Sequence, residues 1–266
     1  MKQQKPEILF DLKKFDIRLE TEWLGRSFLY LDEVESTNTF LMTKENEIDL
    51  NGTVFLAEKQ TAGKGRLDRQ WYSSKAMNLT FSFLVTDRAI LSKPLIPINF
   101  ALALSVAETI ESLYQIKTNV KWPNDVLVGG KKIAGILLES TSSGSKINRL
   151  VAGIGVNVNQ IHFQGSYMLA PTSIVNESGA EAEREKLLAE LLNNIEDIIN
   201  IAIKQPSIIF NRWRERCRAI GDKIIVSRDG KELHGVFDDI DNEGNLLLRQ
   251  EDTILKIQYG DVSIVG

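Results

Sequence analysis

A change of sequence pattern at Gly221 constrains the fold more than any other feature of this chain. After this residue, short apolar runs follow one another at close spacing, separated by turn sequences such as Asp229-Gly230. Several short strands at such spacing are typical of a small β-barrel or sandwich. We therefore predict a larger domain over residues 1–219, with an N-terminal extension at 1–22, and a small C-terminal β-barrel over residues 220–266.

The larger part has the pattern of an α+β domain. Residues 98–115 and 181–203 carry apolar side chains at the i, i+3, i+4 spacing of helices that face a core. Gly129-Gly130 suits the tight turn of a hairpin. Together with the apolar runs that predict strands, these elements indicate a mixed central sheet flanked by helices. The predicted strands of this domain are 28–31, 54–57, 79–85, 126–128, 131–139 and 150–159.

Composition and charge narrow the classes of function. The formal net charge is −4 and the pI is about 5.5, so the chain lacks the basic field that attracts nucleic acids. The single Cys217 excludes an intramolecular disulfide, and neither His162 nor His234 has ligand-like spacing around it. We see no apolar run of signal-peptide or membrane-spanning length. We therefore expect a cytoplasmic protein that binds neither nucleic acid nor membrane.

Residues 58–71, E-K-Q-T-A-G-K-G-R-L-D-R-Q-W, form the first candidate binding segment. Two glycines let the backbone approach a ligand closely, and successive N–H groups can form an anion-binding concavity. A dinucleotide fingerprint would need glycine at Asp68, and a Walker loop would need glycine at Glu58 and a hydroxyl at Gly65. Taken alone, the segment is more typical of a mobile surface loop.

A second segment, Lys121-Trp122-Pro123-Asn124-Asp125, lies between a predicted helix and a predicted strand. Pro-Asn-Asp favours a turn, and proline biases the preceding tryptophan towards an extended conformation. A lysine at this strand end lies beside bulky apolar surface, where its ammonium is poorly solvated and interacts more strongly with an anion. Lys121 is therefore a candidate contact for a carboxylate or phosphate.

With these two segments, the chain resembles the biotin protein ligase family. The matching blocks occur in the family's order and cover about the middle half of the chain. The family combines a catalytic domain like that of class II aminoacyl-tRNA synthetases with an SH3-like C-terminal barrel, and the resemblance implies the same here. The blocks are Ser36-Thr37-Asn38, Gln60 with Gly63-Lys64-Gly65-Arg66 and Trp71, 121–125, Gly135 to Glu139, and Gly153-Ile154-Gly155-Val156-Asn157.

The resemblance implies three sets of site residues. Lys121 and Arg66 would carry catalysis. No site residue is carried over from the barrel, and whether the barrel contacts ATP or the carrier is left open. Magnesium would be bound through the phosphates of ATP. The biotin site would comprise Ser36, Thr37, Asn38, Gln60, Gly63, Lys64, Gly65, Arg66, Lys121 and Gly135, and the nucleotide site Lys64, Arg66, Trp71, Asn124 and Asn157.

Residue chemistry leaves plainer roles open for several of these positions. Ser36 is a natural helix N-cap. Gly135 lies in an apolar run and suits either a ligand lying on the backbone or close strand packing. Gly153, Gly155 and Asn157 alternate in phase, which places them on one face of a strand. We interpret this face as an open slot for a nucleotide.

The implied reaction has two steps: ATP activates biotin as biotinyl-5′-AMP, and biotin then passes to a lysine of the biotin carrier domain of a carboxylase. A lipoate ligase is the alternative enzyme, although the polar set Ser36, Thr37, Asn38 and Gln60 favours biotin's ureido group. A biotin-sensing DNA-binding repressor is a further alternative. We disfavour it because only about 25 residues precede the first predicted core strand.

Two positions depart from the family pattern. Relatives often carry arginine at Lys64 and glycine at Asp68. Lysine offers a point charge in place of a planar fork, and the aspartate adds negative charge near the expected phosphates. Both departures put the loop's detailed contacts in doubt. The oligomeric state is left open, with a homodimer among the alternatives.

Overall fold

The computed structural model describes residues 9–67, 69–165 and 167–265. The helices are α1 Leu12–Asp16, α2 Thr37–Met42, α3 Arg88–Leu91, α4 Leu95–Tyr114, α5 Ile174–Ser178, α6 Arg184–Lys204 and α7 Pro206–Arg216, with a 3-10 turn at Lys44–Asn46. The strands are β1 Phe28–Val34, β2 Val54–Gln60, β3 Leu79–Val85, β4 Asn119–Lys121, β5 Asp125–Val128, β6 Lys131–Ser143, β7 Lys146–Val156, β8 Lys223–Arg228, β9 Lys231–Ile240, β10 Leu246–Gln250, β11 Thr253–Ile257 and β12 Asp261–Ile264.

Seven strands form the central sheet, in the order β1-β2-β3-β7-β6-β5-β4. Strands β1 and β2 run parallel, because the chain between them crosses one face of the sheet through α2. The other neighbours are antiparallel and include the predicted hairpin of β5 and β6 around Gly129-Gly130. The α+β class and the mixed central sheet are therefore confirmed.

One face of this sheet carries the main core. Helices α4 and α6 pack on it and on each other, and side chains alternate between faces because strand geometry has a period of two. Val54 and Leu56 join the main core, whereas Phe55 between them joins a second, smaller cluster. This second cluster also contains Leu41 of α2 and lies on the opposite face.

Helix α4 differs from its prediction at its N-terminus. It begins at Leu95, three residues earlier than predicted, and its 20 residues are long and apolar enough to cross a membrane. Most of its side chains are buried against α6, α7 and the sheet, which is the situation of a core helix. A helix that packs against neighbours on several sides is apolar around most of its circumference, and this explains the long apolar run of α4.

The remaining strands form a five-stranded antiparallel sheet, in the order β11-β10-β9-β8-β12. The small C-terminal β domain is thus confirmed, but among the described residues the edge strands β11 and β12 are not paired, so hydrogen bonding does not close it into a barrel. The predicted boundary at 219/220 falls between α7 and β8 and stays a prediction.

Helix α7 ties this small domain to the larger one. Three arginines form ion pairs with neighbouring elements, Arg212 with Glu108, Arg216 with Glu111, and Arg214 with Asp239 of β9, at 2.6, 2.7 and 2.7 Å. Periodicity could not reveal these partners, because they lie far away in sequence.

A buried ion pair anchors the N-terminal segment. Glu58 of β2 and Arg184 at the start of α6 are both almost fully buried and hydrogen-bonded to each other. The Phe10 N–H and the Tyr30 hydroxyl also donate to the Glu58 carboxylate, at 2.8 and 2.7 Å. Burial alone would raise the pKa of Glu58, but the hydrogen bonds from Arg184 and Tyr30 outweigh it and lower that pKa.

Candidate active site

A cavity of about 470 Å³ lies on the sheet face opposite the main core. Its floor includes Gly153 and Gly155 of β7, which share a face with Val151 of the smaller cluster. Its walls come from the start of α2, the glycine loop, the turn after β4, and Phe163, Tyr167, Met168, Leu169 and Pro171. The cavity also reaches Asp261, Val262 and Ser263 of β12. The small domain therefore lines part of this cavity.

The polar residues at the start of α2 form a connected network at one end of the cavity. Ser36 is the N-cap of α2, as predicted, and its hydroxyl accepts from the Thr39 N–H at 3.4 Å. The Thr37 N–H donates to the Gln60 carboxamide oxygen at 2.7 Å, and Thr37 Oγ1 lies 2.6 Å from Ser82 Oγ. The network fixes these side chains at a helix N-terminus, where hydrogen-bond donors converge.

Asn38 completes this network across the sheet. Its amide nitrogen donates to Glu139 Oε2 at 2.8 Å, and its amide oxygen accepts from the Ser82 hydroxyl at 2.5 Å. A Cβ at Gly153 would lie only 2.2 Å from the Asn38 amide oxygen. Glycine at this position is therefore required to make room for the chain's own asparagine.

The glycine loop between β2 and β3 folds back on itself. The Gly65 N–H donates to the Arg69 carbonyl at 2.7 Å, and the Trp71 N–H donates to the Gly63 carbonyl at 2.9 Å. Lys64 and Gly65 line the cavity, but Gly63 does not, and its Cβ would lie 2.5 Å from the Trp71 carbonyl oxygen. Gly63 allows the loop to close. The departure noted at Asp68 lies outside the described residues.

Two arginines of the loop reach the C-terminal domain. Arg69 forms a bidentate ion pair with Asp261, and Arg66 lies 3.8 Å from the same carboxylate. Arg66 also donates to the Gly260 carbonyl at 3.3 Å. Burial lowers the pKa of Arg66, and the nearby carboxylates of Asp261 and Asp125 oppose that shift. The loop is thus held over the cavity by one acidic residue from the other domain.

Lys121 lies at the end of β4 and is 9% exposed. Burial lowers its pKa, and the nearby carboxylate of Asp125 partly opposes the shift. Within the described parts of the chain, no hydrogen bond or ion pair of its ammonium group is recorded. Lys121 and Arg66 line the same cavity, which is the convergence that the proposed chemistry requires.

The turn after Lys121 has the predicted form of a tight connection between β4 and β5. The Trp122–Pro123 peptide bond is cis. The Asn124 side chain donates to the Ile136 carbonyl at 2.5 Å. Asn124, which was predicted to contact the nucleotide, therefore links the turn to β6. Gly135 of β6 lines the cavity, where a Cβ would lie 3.0 Å from Lys132 Nζ.

The slot predicted above β7 is occupied by the chain itself. The Trp71 indole lies over Gly155, where a Cβ would be 2.3 Å from the ring. The indole N–H is buried and has no hydrogen-bond partner among the described residues. Asn157, at the end of the same row, donates to the Thr172 carbonyl at 2.9 Å. The three residues do line the same cavity, but Asn38 fills the space above Gly153 and Trp71 fills the space above Gly155.

Several residues at the cavity were not predicted from the sequence. Lys132 forms an ion pair with Asp125 at 2.6 Å, and its ammonium group lies 5.6 Å from the centre of the Trp71 ring. The sequence signal that could have identified Lys132 is its position just after the Gly129-Gly130 turn and three residues before Gly135. Arg69 and Asp261 were also missed, and only three-dimensional contact identifies them.

Comparisons with known proteins agree with this geometry. The pattern of the Biotin/lipoate A/B protein ligase family matches residues 30–157, and that of the Biotin protein ligase C terminal domain matches residues 219–265. The first defines a class of ligases, and the second adds the C-terminal domain that distinguishes one branch of it.

Individual relatives identify that branch. The Biotin--[acetyl-CoA-carboxylase] ligase of Mycobacterium tuberculosis is 30% identical over 249 residues, which cover 90% of each chain. The Bifunctional ligase/repressor BirA of Bacillus subtilis is 30% identical over 95% of this chain and 79% of its own length. The structure of the biotin protein ligase from Aquifex aeolicus in complex with biotin and ATP has a TM-score of 0.79 at 28% identity, covering 90% of this chain and 99% of that one. The chain belongs to the biotin protein ligase family, and the predicted enzyme class is confirmed.

Proposed function

We propose that this protein activates biotin with ATP and transfers it to a lysine of the biotin carrier domain of a carboxylase. One observation carries the proposal: a hydroxyl and amide network and a set of cations converge on a single cavity. The network offers both donors and acceptors, which biotin's ureido group needs because it contains a carbonyl and two N–H groups. The cations suit the carboxylate and phosphate that must meet there.

In the first step, a biotin carboxylate oxygen attacks the α-phosphorus of ATP. A new P–O bond forms to biotin, and the bond to pyrophosphate breaks. Two anions repel each other, so the step depends on positive charge placed around the transferring group. We assign this role to Lys121 and Arg66, and we add Lys132, which lies between Asp125 and Trp71 in the same cavity. Lys64 lies at the rim, 3.9 Å from Glu139.

Magnesium would enter bound to the phosphates of ATP. The cavity's carboxylates already have cationic partners, Asp125 with Lys132 and Asp261 with Arg69. In the part of the chain that the structure describes, no group of three metal-ligating side chains is present. A metal held by ATP would neutralise phosphate charge.

In the second step, the amine of a carrier lysine attacks the carboxyl carbon of biotinyl-5′-AMP. An amide bond forms, AMP leaves and the amine loses a proton. The mixed anhydride must be kept from water until the carrier docks. The glycine loop is suited to this role, because Trp71 packs over the sheet and Asp261 holds Arg66 and Arg69 from the other side.

The decisive experiment is mass spectrometry of a carrier domain after incubation with this protein, biotin and magnesium ATP. We expect a mass increase of one biotin on one lysine. Pyrophosphate exchange measured with biotin or with lipoate separates this proposal from the lipoate ligase alternative. Exchange that depends on lipoate and is silent with biotin would overturn our assignment. A cytoplasmic location remains part of the proposal.

A further inference from the structure

The C-terminal domain also contacts the turn between β4 and β5, through residues other than Asp261. The turn between β9 and β10, residues 241–245, packs between α4 and α7. Gly244 in this turn has a φ of +77°, and a Cβ added there would lie 2.2 Å from Ile96 and 3.4 Å from Phe100 and Phe210. The backbone of Gly244 therefore sits in an apolar socket that the larger domain supplies.

A buried hydrogen bond closes this contact. The indole N–H of Trp122 donates to the Gly244 carbonyl at 3.0 Å, and the Trp122 side chain is 2% exposed. Trp122 lies directly between Lys121 and Pro123, in the turn that carries both Lys121 and Asp125. Any shift of the indole would therefore be passed through the backbone to these cavity residues.

The turn itself is firmly held. The Asp241 carboxylate accepts from the N–H groups of Glu243 and Asn245 at 2.8 and 2.9 Å, and from the Asn245 side chain at 3.0 Å. Lys256 of β11 lies 2.8 Å from the other Asp241 oxygen. Although burial alone would raise the pKa of Asp241, Lys256 and Asn245 outweigh it and lower that pKa to about 2. These contacts of Asp241 hold the turn, and with it the Gly244 carbonyl, in place.

We propose that the Gly244 carbonyl is a positioning group for the reaction, which fixes Lys121 and Asp125 through its hydrogen bond to Trp122. This inference rests on the proposed biotin ligase function. It assigns the small domain a role that differs from its contact with the glycine loop through Asp261. A displacement of about 1 Å at reacting groups can cost roughly 100-fold in rate, so a single hydrogen bond to the turn can have a large effect.

The test variant is Trp122→Phe, which removes the indole N–H and keeps an aromatic ring. The matched control is Asn242→Ala, an exposed position in the same turn whose side chain makes no hydrogen bond or ion pair with any described residue. We expect Trp122→Phe to lower kcat for biotin-dependent pyrophosphate exchange by roughly 10- to 100-fold at saturating biotin and ATP, with a smaller change in KM. Asn242→Ala should match the unaltered protein.

A purely structural role would lower Tm and leave kcat within twofold once the folded fraction is corrected for, and that result would overturn the inference. If Trp122→Phe fails to fold, Asp241→Asn provides the second variant, because it loosens the turn and leaves Trp122 intact. We expect it to reduce kcat in the same direction, and a kcat equal to that of Asn242→Ala would equally overturn the inference. Failure of the unaltered protein to exchange pyrophosphate with biotin would instead refute the proposed function.

Discussion

Replacing Lys121 by methionine gives the sharpest test of the proposed chemistry. The substitution removes the charge and keeps an unbranched side chain of similar length. Because the ammonium group is buried and burial already lowers its pKa, its charge costs free energy in the folded protein. We therefore expect Lys121→Met to unfold at the same or a higher urea concentration than the unaltered protein, while its activity falls.

The expected loss of activity follows from the contact that Lys121 would make in the transition state. Two unit charges 4 Å apart attract by about 4 kcal/mol at an effective dielectric constant of 20, which sets an upper limit. A charge-assisted hydrogen bond contributes about 1.5–3 kcal/mol net. Each 1.36 kcal/mol changes the rate about tenfold, so kcat/KM should fall about 10- to 150-fold.

Biotin-dependent pyrophosphate exchange measures this loss, with urea unfolding followed in parallel. Lys132→Met is the matched comparison, because Lys132 is paired with Asp125 and its removal leaves that carboxylate without its cation. We expect Lys132→Met to lose both stability and activity. If Lys121→Met exchanges pyrophosphate within about threefold of the unaltered rate, Lys121 has no role in stabilising the transition state and our assignment is wrong.

Three other predictions concern different parts of the chain. Glu58→Gln should cost about 3–5 kcal/mol of unfolding free energy in urea at pH 7, because Arg184 stays buried without its carboxylate. The pKa of Glu58 is lowered on folding, so the ion pair stabilises fully above the unfolded value of about 4.3. The stability gap should therefore narrow as pH falls below about 4.3 and be lost once pH has fallen through the lower folded pKa; a gap independent of pH would contradict this reasoning. Gly155→Ala should displace the Trp71 indole, seen as a shift in tryptophan emission, and an unchanged spectrum would count against the packing described. Asp261→Asn should speed proteolysis of the glycine loop and hydrolysis of biotinyl-5′-AMP; equal rates would show that the loop does not depend on this contact.

Local features of the fold were predictable because their causes are local. Ser36 could be identified as an N-cap from its hydroxyl and the helical pattern after it, and helix α2 begins at the next residue. The hairpin at Gly129-Gly130 and the strand Leu79–Val85 were likewise determined by turn chemistry and by a run of apolar residues. Helix starts were less accurate, because α4 begins directly after Pro94 and its first residues carry little periodicity.

The candidate site was predictable only in part, for a physical reason. Sequence motifs identify residues whose backbone is special, such as the glycines of the loop or the turn at Pro123. They cannot identify a partner that is set by tertiary contact. Asp261 pairs with loop arginines almost 200 positions away, and Asp241 supports a carbonyl that meets Trp122. Both lie in short strands or turns of ordinary composition, and no local pattern marks them.

The row Gly153, Gly155 and Asn157 shows why a missing side chain does not identify what fills the space. Glycine on a strand indicates that something approaches the sheet closely, and this holds for a ligand and for the protein's own groups. Here Asn38 fills the space above Gly153, and the Trp71 indole fills the space above Gly155. The buried indole N–H without a partner has a cost, because an unsatisfied donor loses its hydration and gains no bond. Trp71 therefore occupies the slot at lower stability than a fully bonded side chain would.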